Sequence, residues 1–230
     1  MYRITKLVFL ISTTYLGLII TLAHATEVKC KDSFPIIQKP ITFDAKRIDL
    51  TRIYRSEHYD IHSKTIEIIP QIIVLHWTNL PTLKQAINYF NPSVLQKNRM
   101  ELSRASNLNV STHFLVDRDG TIYQLMPTNW MARHVIGLNN IAIGIENVGG
   151  VKNKEDLTLQ QVRANAYLVC MLKQRYSTIQ YLIGHFEYLQ FRNTPLWQEK
   201  DKSYYTIKRD PGSWFMTEVR NSVKKNSSKP

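Results

Sequence analysis

The apolar residues of this chain fall into a few dense runs separated by long polar stretches. Residues 66–69 and 71–75 are rich in β-branched side chains and are split by Pro70. They predict an edge piece followed by a central strand, because a strand covered on both faces loses the alternation of polar and apolar positions. Residues 142–148 read as a second buried strand and residues 179–183 as a short third one. Residues 112–116 and 121–126 flank Asp117-Arg118-Asp119-Gly120 and predict a hairpin. Helical spacing follows Thr158, which caps a helix reaching about Arg175 with Leu159, Val162, Ala166 and Val169 on one face. Residues 82–105 are helix-like with a break near Asn91-Pro92, residues 51–59 allow a short helix, and Ser213 starts a last helix to about Val223. Strands interspersed with helices predict an α/β fold: a single domain with a central mixed β-sheet flanked by helices.

The ends change this picture. Arg3 and Lys6 precede an apolar stretch over residues 7–22, and Ala23-His24-Ala25 supplies small residues for cleavage. Residues 1–25 therefore read as a signal peptide, with a periplasmic or secreted bacterial product and no stable membrane insertion after cleavage. The competing reading is an uncleaved anchor, since the run approaches spanning length. Residues 26–65 form a lead-in without clear periodicity, residues 66–220 the main domain, and residues 221–230 a flexible basic tail.

The 230-residue chain carries 30 basic and 18 acidic residues, a net charge of +12. Loss of Arg3 and Lys6 with the leader leaves 28 basic against 18 acidic, or +10. Such a protein is drawn to anionic surfaces such as cell-wall polymers. No basic helix or stacking-sheet motif supports a nucleic-acid partner. Only Cys30 and Cys170 are present. Export permits a disulfide between them, but Cys170 falls on the apolar face of the predicted 158–175 helix, which favours a buried thiol.

Three residues at the ends of apolar runs carry the candidate chemistry. His76 closes the 72–75 run, His185 follows Ile183-Gly184, and Asp210 sits in Lys208-Arg209-Asp210-Pro211-Gly212. Two imidazoles and one carboxylate suit zinc and leave a fourth position open for water. Imidazoles bind metal only when neutral, so activity should fall in acid. Glu146, in Ile143-Gly144-Ile145-Glu146-Asn147, is a candidate base: a carboxylate inside an apolar run needs a partner or a task. His58 and His62 have i,i+4 spacing but lie in the polar lead-in.

These stretches in this order resemble the zinc-dependent N-acetylmuramoyl-L-alanine amidases of the Amidase-2 type, which include peptidoglycan recognition proteins. The resemblance covers about residues 66–220 and rests on Val74-Leu75-His76-Trp77-Thr78, Val110-Ser111-Thr112-His113-Phe114, the Asp117–Ile122 turn, Ile143–Asn147, Ile183-Gly184-His185 and Lys208–Gly212. It implies Zn2+ held by His76, His185 and Asp210, with Glu146 and Lys208 as catalytic residues. It also implies a zinc site at the strand ends in a surface groove. Trp77, Thr78, His134, Trp197 and Arg209 are candidate groove residues. His113 is expected to be structural. The implied reaction is hydrolysis of the amide between N-acetylmuramic acid and L-alanine in peptidoglycan or muropeptides. Thr112 stands where phage and animal relatives often have a tyrosine, which leaves the glutamate version of the mechanism.

The stretch between His185 and Asp210 is longer than the family's usual spacing. Its Trp197, Tyr204 and Tyr205 suggest a wall over the groove. Rival readings are a peptidoglycan-binding module without catalysis, which would have no use for Glu146 and Lys208, and a zinc peptidase, for which no His-Glu-x-x-His helix is present.

Overall fold

The computed structural model describes residues 30, 33–96 and 105–227. The signal-peptide reading of residues 1–25 lies outside them, as does most of the second half of the helix expected over 82–105. Among the described residues no helix is long and apolar enough to cross a membrane.

Among the described residues six strands form one sheet: β1 (Ile36–Gln38), β2 (Ile72–Trp77), β3 (Phe114–Val116), β4 (Ile122–Gln124), β5 (Ala142–Asn147) and β6 (Tyr181–Gly184). Their order is β1-β4-β3-β5-β2-β6. The β3–β4 hairpin is antiparallel and every other pairing is parallel, so the sheet is mixed as expected. The helices are α1 (Ala45–Tyr59), α2 (Leu83–Phe90), α3 (Leu159–Arg175) and α4 (Ser213–Ser227).

β2 and β5 are interior strands of the sheet, and all six residues of each are buried. Side chains alternate between the two faces of a strand. Ile73, Leu75, Trp77, Ile143 and Ile145 point into one core with Leu168 and Leu172 of α3 and Phe215 and Val219 of α4. Ile72, Val74 and Ala142 pack on the other side with Val135, Leu138 and Tyr188. His76 and Glu146 continue that second face at the carboxyl ends of their strands, where parallel sheets form sites.

α3 starts as the sequence predicts. Thr158 accepts the Gln161 N–H, and Gln161 reaches back to the Thr158 N–H, closing a capping box. Gln161 also donates to the carbonyls of Val116 and Val148 at 3.2 and 3.0 Å, satisfying two strand-end acceptors. The helix-like stretch from residue 82 breaks at the expected Asn91-Pro92: α2 stops at Phe90, and Arg47 donates to the carbonyls of Phe90, Asn91 and Pro92.

The short helix allowed over 51–59 is longer, α1 running the full Ala45–Tyr59, and the lead-in also adds β1 to the sheet. Two other readings need correction. Residues 221–227, read as tail, belong to α4. Cys30 and Cys170 form a disulfide, contrary to the buried-thiol reading. The two views of Cys170 are compatible in part. It does lie on the apolar side of α3 and is 6 % exposed, but the chain before β1 returns to that side and brings Cys30 to it. Phe34 packs on Tyr167 one turn away, with ring centroids 5.6 Å apart.

Candidate metal centre

β2 delivers His76, the turn after β6 delivers His185, and the segment leading into α4 delivers Asp210. The Nδ1 atoms of the two histidines are 3.0 Å apart, and Asp210 Oδ2 lies 3.1 Å from His76 Nδ1 and 3.0 Å from His185 Nδ1. All three residues are buried, and their ligand atoms lie within 4.8 Å of one another. Tetrahedral ligands on zinc sit about 3.3 Å apart, so the triangle is close to the size the ion requires. The protonation states fit as well. Burial pushes the His185 imidazole down to about 4, which keeps it neutral. Burial alone would raise the Asp210 carboxyl, but the facing His185 and His76 reverse this and hold it well below the usual carboxylate range. Two imidazoles and one carboxylate converging on a point form a donor set for a cation.

The triangle lies in a cleft of about 360 Å³. Glu146 lines it, because parallel pairing sets its Cα opposite that of His76 and on the same face. Lys208 and the exposed Arg209 also line the cleft, and the Lys208 charge is felt at His185. Thr78 and His134 border the cleft. Trp77 touches its edge, but its ring belongs to the α3–α4 core and rests on Gly150, where no Cβ would fit.

Two expectations for the long segment fail. Trp197 is not a groove residue: it stacks on Tyr188 at 5.8 Å and covers Gly137, whose φ of 78° and lack of a Cβ leave room for the indole. Tyr205 is exposed beneath Arg192, whose guanidinium sits 4.4 Å from its ring centroid, and it does not line the cleft. Only Tyr204 of the three aromatics reaches the cleft, where its hydroxyl lies 3.2 Å from Arg133 Nη2. The segment packs inward because it carries its own apolar side chains, Leu196, Trp197 and Tyr204, to the edge of the second core.

Sequence reasoning also missed what fastens this segment. His58, on α1, faces Glu199 with Nδ1 at 2.9 Å and the Ala105 carbonyl with Nε2 at 3.1 Å. His62, four residues on, is exposed and faces Asp60 and Ser56, so the i,i+4 pair makes no metal site. Both His58 nitrogens meet acceptors, so the imidazolium satisfies both. Burial depresses its pKa, but Glu199 and the Ala105 carbonyl outweigh burial and raise it. Stability from this pair is complete below about pH 6.5, the unfolded value, and fades as pH rises through the higher folded value. Glu199→Ala should cost about 3 kcal/mol by stranding a buried imidazolium. Melting temperature against pH checks this. A variant that melts like wild type at pH 6 would contradict it.

Asn147 was read only as part of a strand. It donates to the His76 carbonyl at 3.0 Å and accepts from Asn165 at 2.7 Å, and so ties the strand that carries His76 to α3. Buried polar residues one position past Glu146 and on an apolar helix face were the available signal.

Comparison with known proteins follows the same lines. A family model described as N-acetylmuramoyl-L-alanine amidase (Amidase_2) matches residues 67–213. Mouse peptidoglycan recognition protein 3 is 32 % identical over 77 residues, which is 33 % of this chain and 22 % of that protein. The chain thus matches about a fifth of that relative's length. The amidase LysC from Clostridium intestinale URNW superposes with a TM-score of 0.52 at 20 % identity, covering 84 % of this chain and 99 % of LysC. A selenomethionine AmpD derivative gives a TM-score of 0.49 at 21 % identity, covering 82 % and 94 %. At these identities the LysC likeness is one of fold.

Proposed function

The chain belongs to the Amidase_2 family, and from that premise we propose that it is a zinc-dependent hydrolase of the amide between N-acetylmuramic acid and L-alanine. The observation that carries this is the convergence of His76 Nδ1, His185 Nδ1 and Asp210 Oδ2 in a cleft that also holds Glu146 and Lys208. Zinc held by these three would polarise the scissile carbonyl and lower the pKa of an attacking water.

The chain's own residues do the rest. Glu146 takes a proton from the water as its oxygen adds to the carbonyl carbon, and returns it to the nitrogen as the C–N bond breaks. The products are the lactyl carboxylate of the sugar and a peptide with a free alanine amine. Lys208, lining the same cleft, balances the negative charge that develops on the carbonyl oxygen. Tyr204 and Arg133, hydrogen-bonded to each other at 3.2 Å, form part of the cleft wall. The substrate class is peptidoglycan or its soluble fragments, and the basic surface favours approach to an anionic wall. An exported, oxidising location agrees with the Cys30–Cys170 bond and with the apolar N-terminus.

Asp210→Ala tests the metal reading. The wild-type chain should carry one zinc, lose activity to a chelator and regain it with zinc. The variant should lose stoichiometric zinc while still folding. Metal analysis alongside circular dichroism reads both, and full activity in a verified metal-free preparation would sink the proposal.

A further inference from the structure

We propose that His134 is a positioning residue for the metal centre, holding His76 in the tautomer whose Nδ1 lone pair faces His185 and Asp210. This rests on the metal reading above and goes beyond it, because His134 lies outside the ligand triangle.

His76 Nε2 is 3.0 Å from His134 Nδ1, and His134 Nε2 is 3.4 Å from the Ala142 carbonyl. The carbonyl can only accept, so His134 carries its proton on Nε2 and presents a lone pair at Nδ1. That lone pair requires a proton on His76 Nε2. The His76 Nδ1 is then left unprotonated, pointing into the triangle. The chain of donors runs one way only: His76 to His134 to the β5 backbone. A hydrogen-bonded remote nitrogen fixes both tautomer and ring angle of a metal-binding imidazole. His185 has no such support, since its Nε2 is buried without a hydrogen-bond partner among the described residues.

The surroundings are built to hold His134 in place. Its ring lies over Gly144, between Ala142 and Glu146 on the same face of β5, and a Cβ there would come within 2.8 Å of the imidazole. This gives the glycine of Ile143-Gly144-Ile145-Glu146 a purpose. His113 braces the same point, accepting the Gly144 N–H at 3.0 Å and facing the Trp130 carbonyl at 2.8 Å. The His134 backbone is clamped too. Asn139 accepts the N–H groups of His134 and Val135 at 2.8 and 2.7 Å, and donates to the Tyr59 hydroxyl of α1 at 2.9 Å. The lead-in helix thereby supports the site through two intervening residues.

Zinc affinity, measured by competition with a chromogenic chelator, tests this. His134→Leu removes the acceptor and should weaken zinc binding about 10–100-fold. His134→Asn can place an amide oxygen near the position of Nδ1 and should recover most of the loss. A leucine variant that melts normally and binds zinc at wild-type affinity would overturn the inference. Should that variant not fold, nitrogen NMR of the zinc-loaded wild-type protein decides instead. A scalar coupling across the hydrogen bond between His76 Nε2 and His134 Nδ1 is expected, and its absence overturns the inference. Failure of the wild-type chain to bind zinc at all would remove the metal reading and this inference together. Unchanged affinity in the leucine variant, with wild-type zinc intact, removes this inference alone.

Discussion

Glu146→Gln is expected to keep one zinc and a wild-type melting temperature while turnover falls about 10²–10⁴-fold, the usual span for loss of a general acid–base. The argument is geometric. Glu146 shares the cleft with the three candidate ligands but comes from a different strand, so removing its charge leaves the triangle intact. The amide matches the carboxylate in shape and cannot accept and return a proton. Zinc content, melting and kcat on a muropeptide separate the outcomes. Near wild-type turnover would remove Glu146 from the mechanism. Loss of zinc would show that it helps hold the ion.

Removing the Cys30–Cys170 bond should have the largest effect on stability. The bond links residues 140 apart in sequence, and cross-links of such separation constrain the unfolded chain most. The double variant Cys30→Ala with Cys170→Ala should lose about 3–5 kcal/mol, or roughly 6–20 °C in melting temperature for a domain of this size. Its effect on turnover below the transition should be small, because Cys170 sits on α3, across the sheet from the cleft. An unchanged melting point, or two free thiols in the native protein, would contradict the bond. Equal loss of zinc would mean that the N-terminal tie shapes the site as well.

Legibility in the sequence followed the physics of each element. β2 and β5 were readable because parallel central strands are apolar throughout, and the hairpin because Asp-x-Asp-Gly chemistry marks its turn. α3 announced itself through Thr158 and a clean apolar stripe. α1 was only half visible, because its inward stripe is made largely of Arg47, Thr51, Tyr54, Arg55 and His58, of which Arg47 and Arg55 donate to distant carbonyls and His58 meets Glu199. Hydrophobic periodicity cannot register such a face. β1 has three residues, too few to show alternation, and its place beside β4 depends on a return of the chain that no local pattern encodes.

The site divides in the same way. His76, His185, Asp210, Glu146 and Lys208 were picked out by their positions in ordered motifs, and the fold brings all five to one cleft. His134 was expected at the groove, but its contact with His76 depends on Gly144 leaving space three-dimensionally, which spacing along the chain does not reveal. Trp197 misled for a related reason. An aromatic side chain in a polar loop reads as surface, whereas Gly137 leaves room for it to pack half-buried at the edge of the second core.

Product analysis on purified sacculi tests the central claim most directly. Mass spectrometry after incubation with the zinc-loaded protein should find stem peptides bearing a new free amino-terminal alanine. The glycan strands should retain muramic acids with free lactyl carboxylates. Both products should vanish in the presence of chelator. Sacculi that bind the protein and release nothing, or cuts within the stem peptide that leave the muramoyl–alanine bond intact, would contradict it.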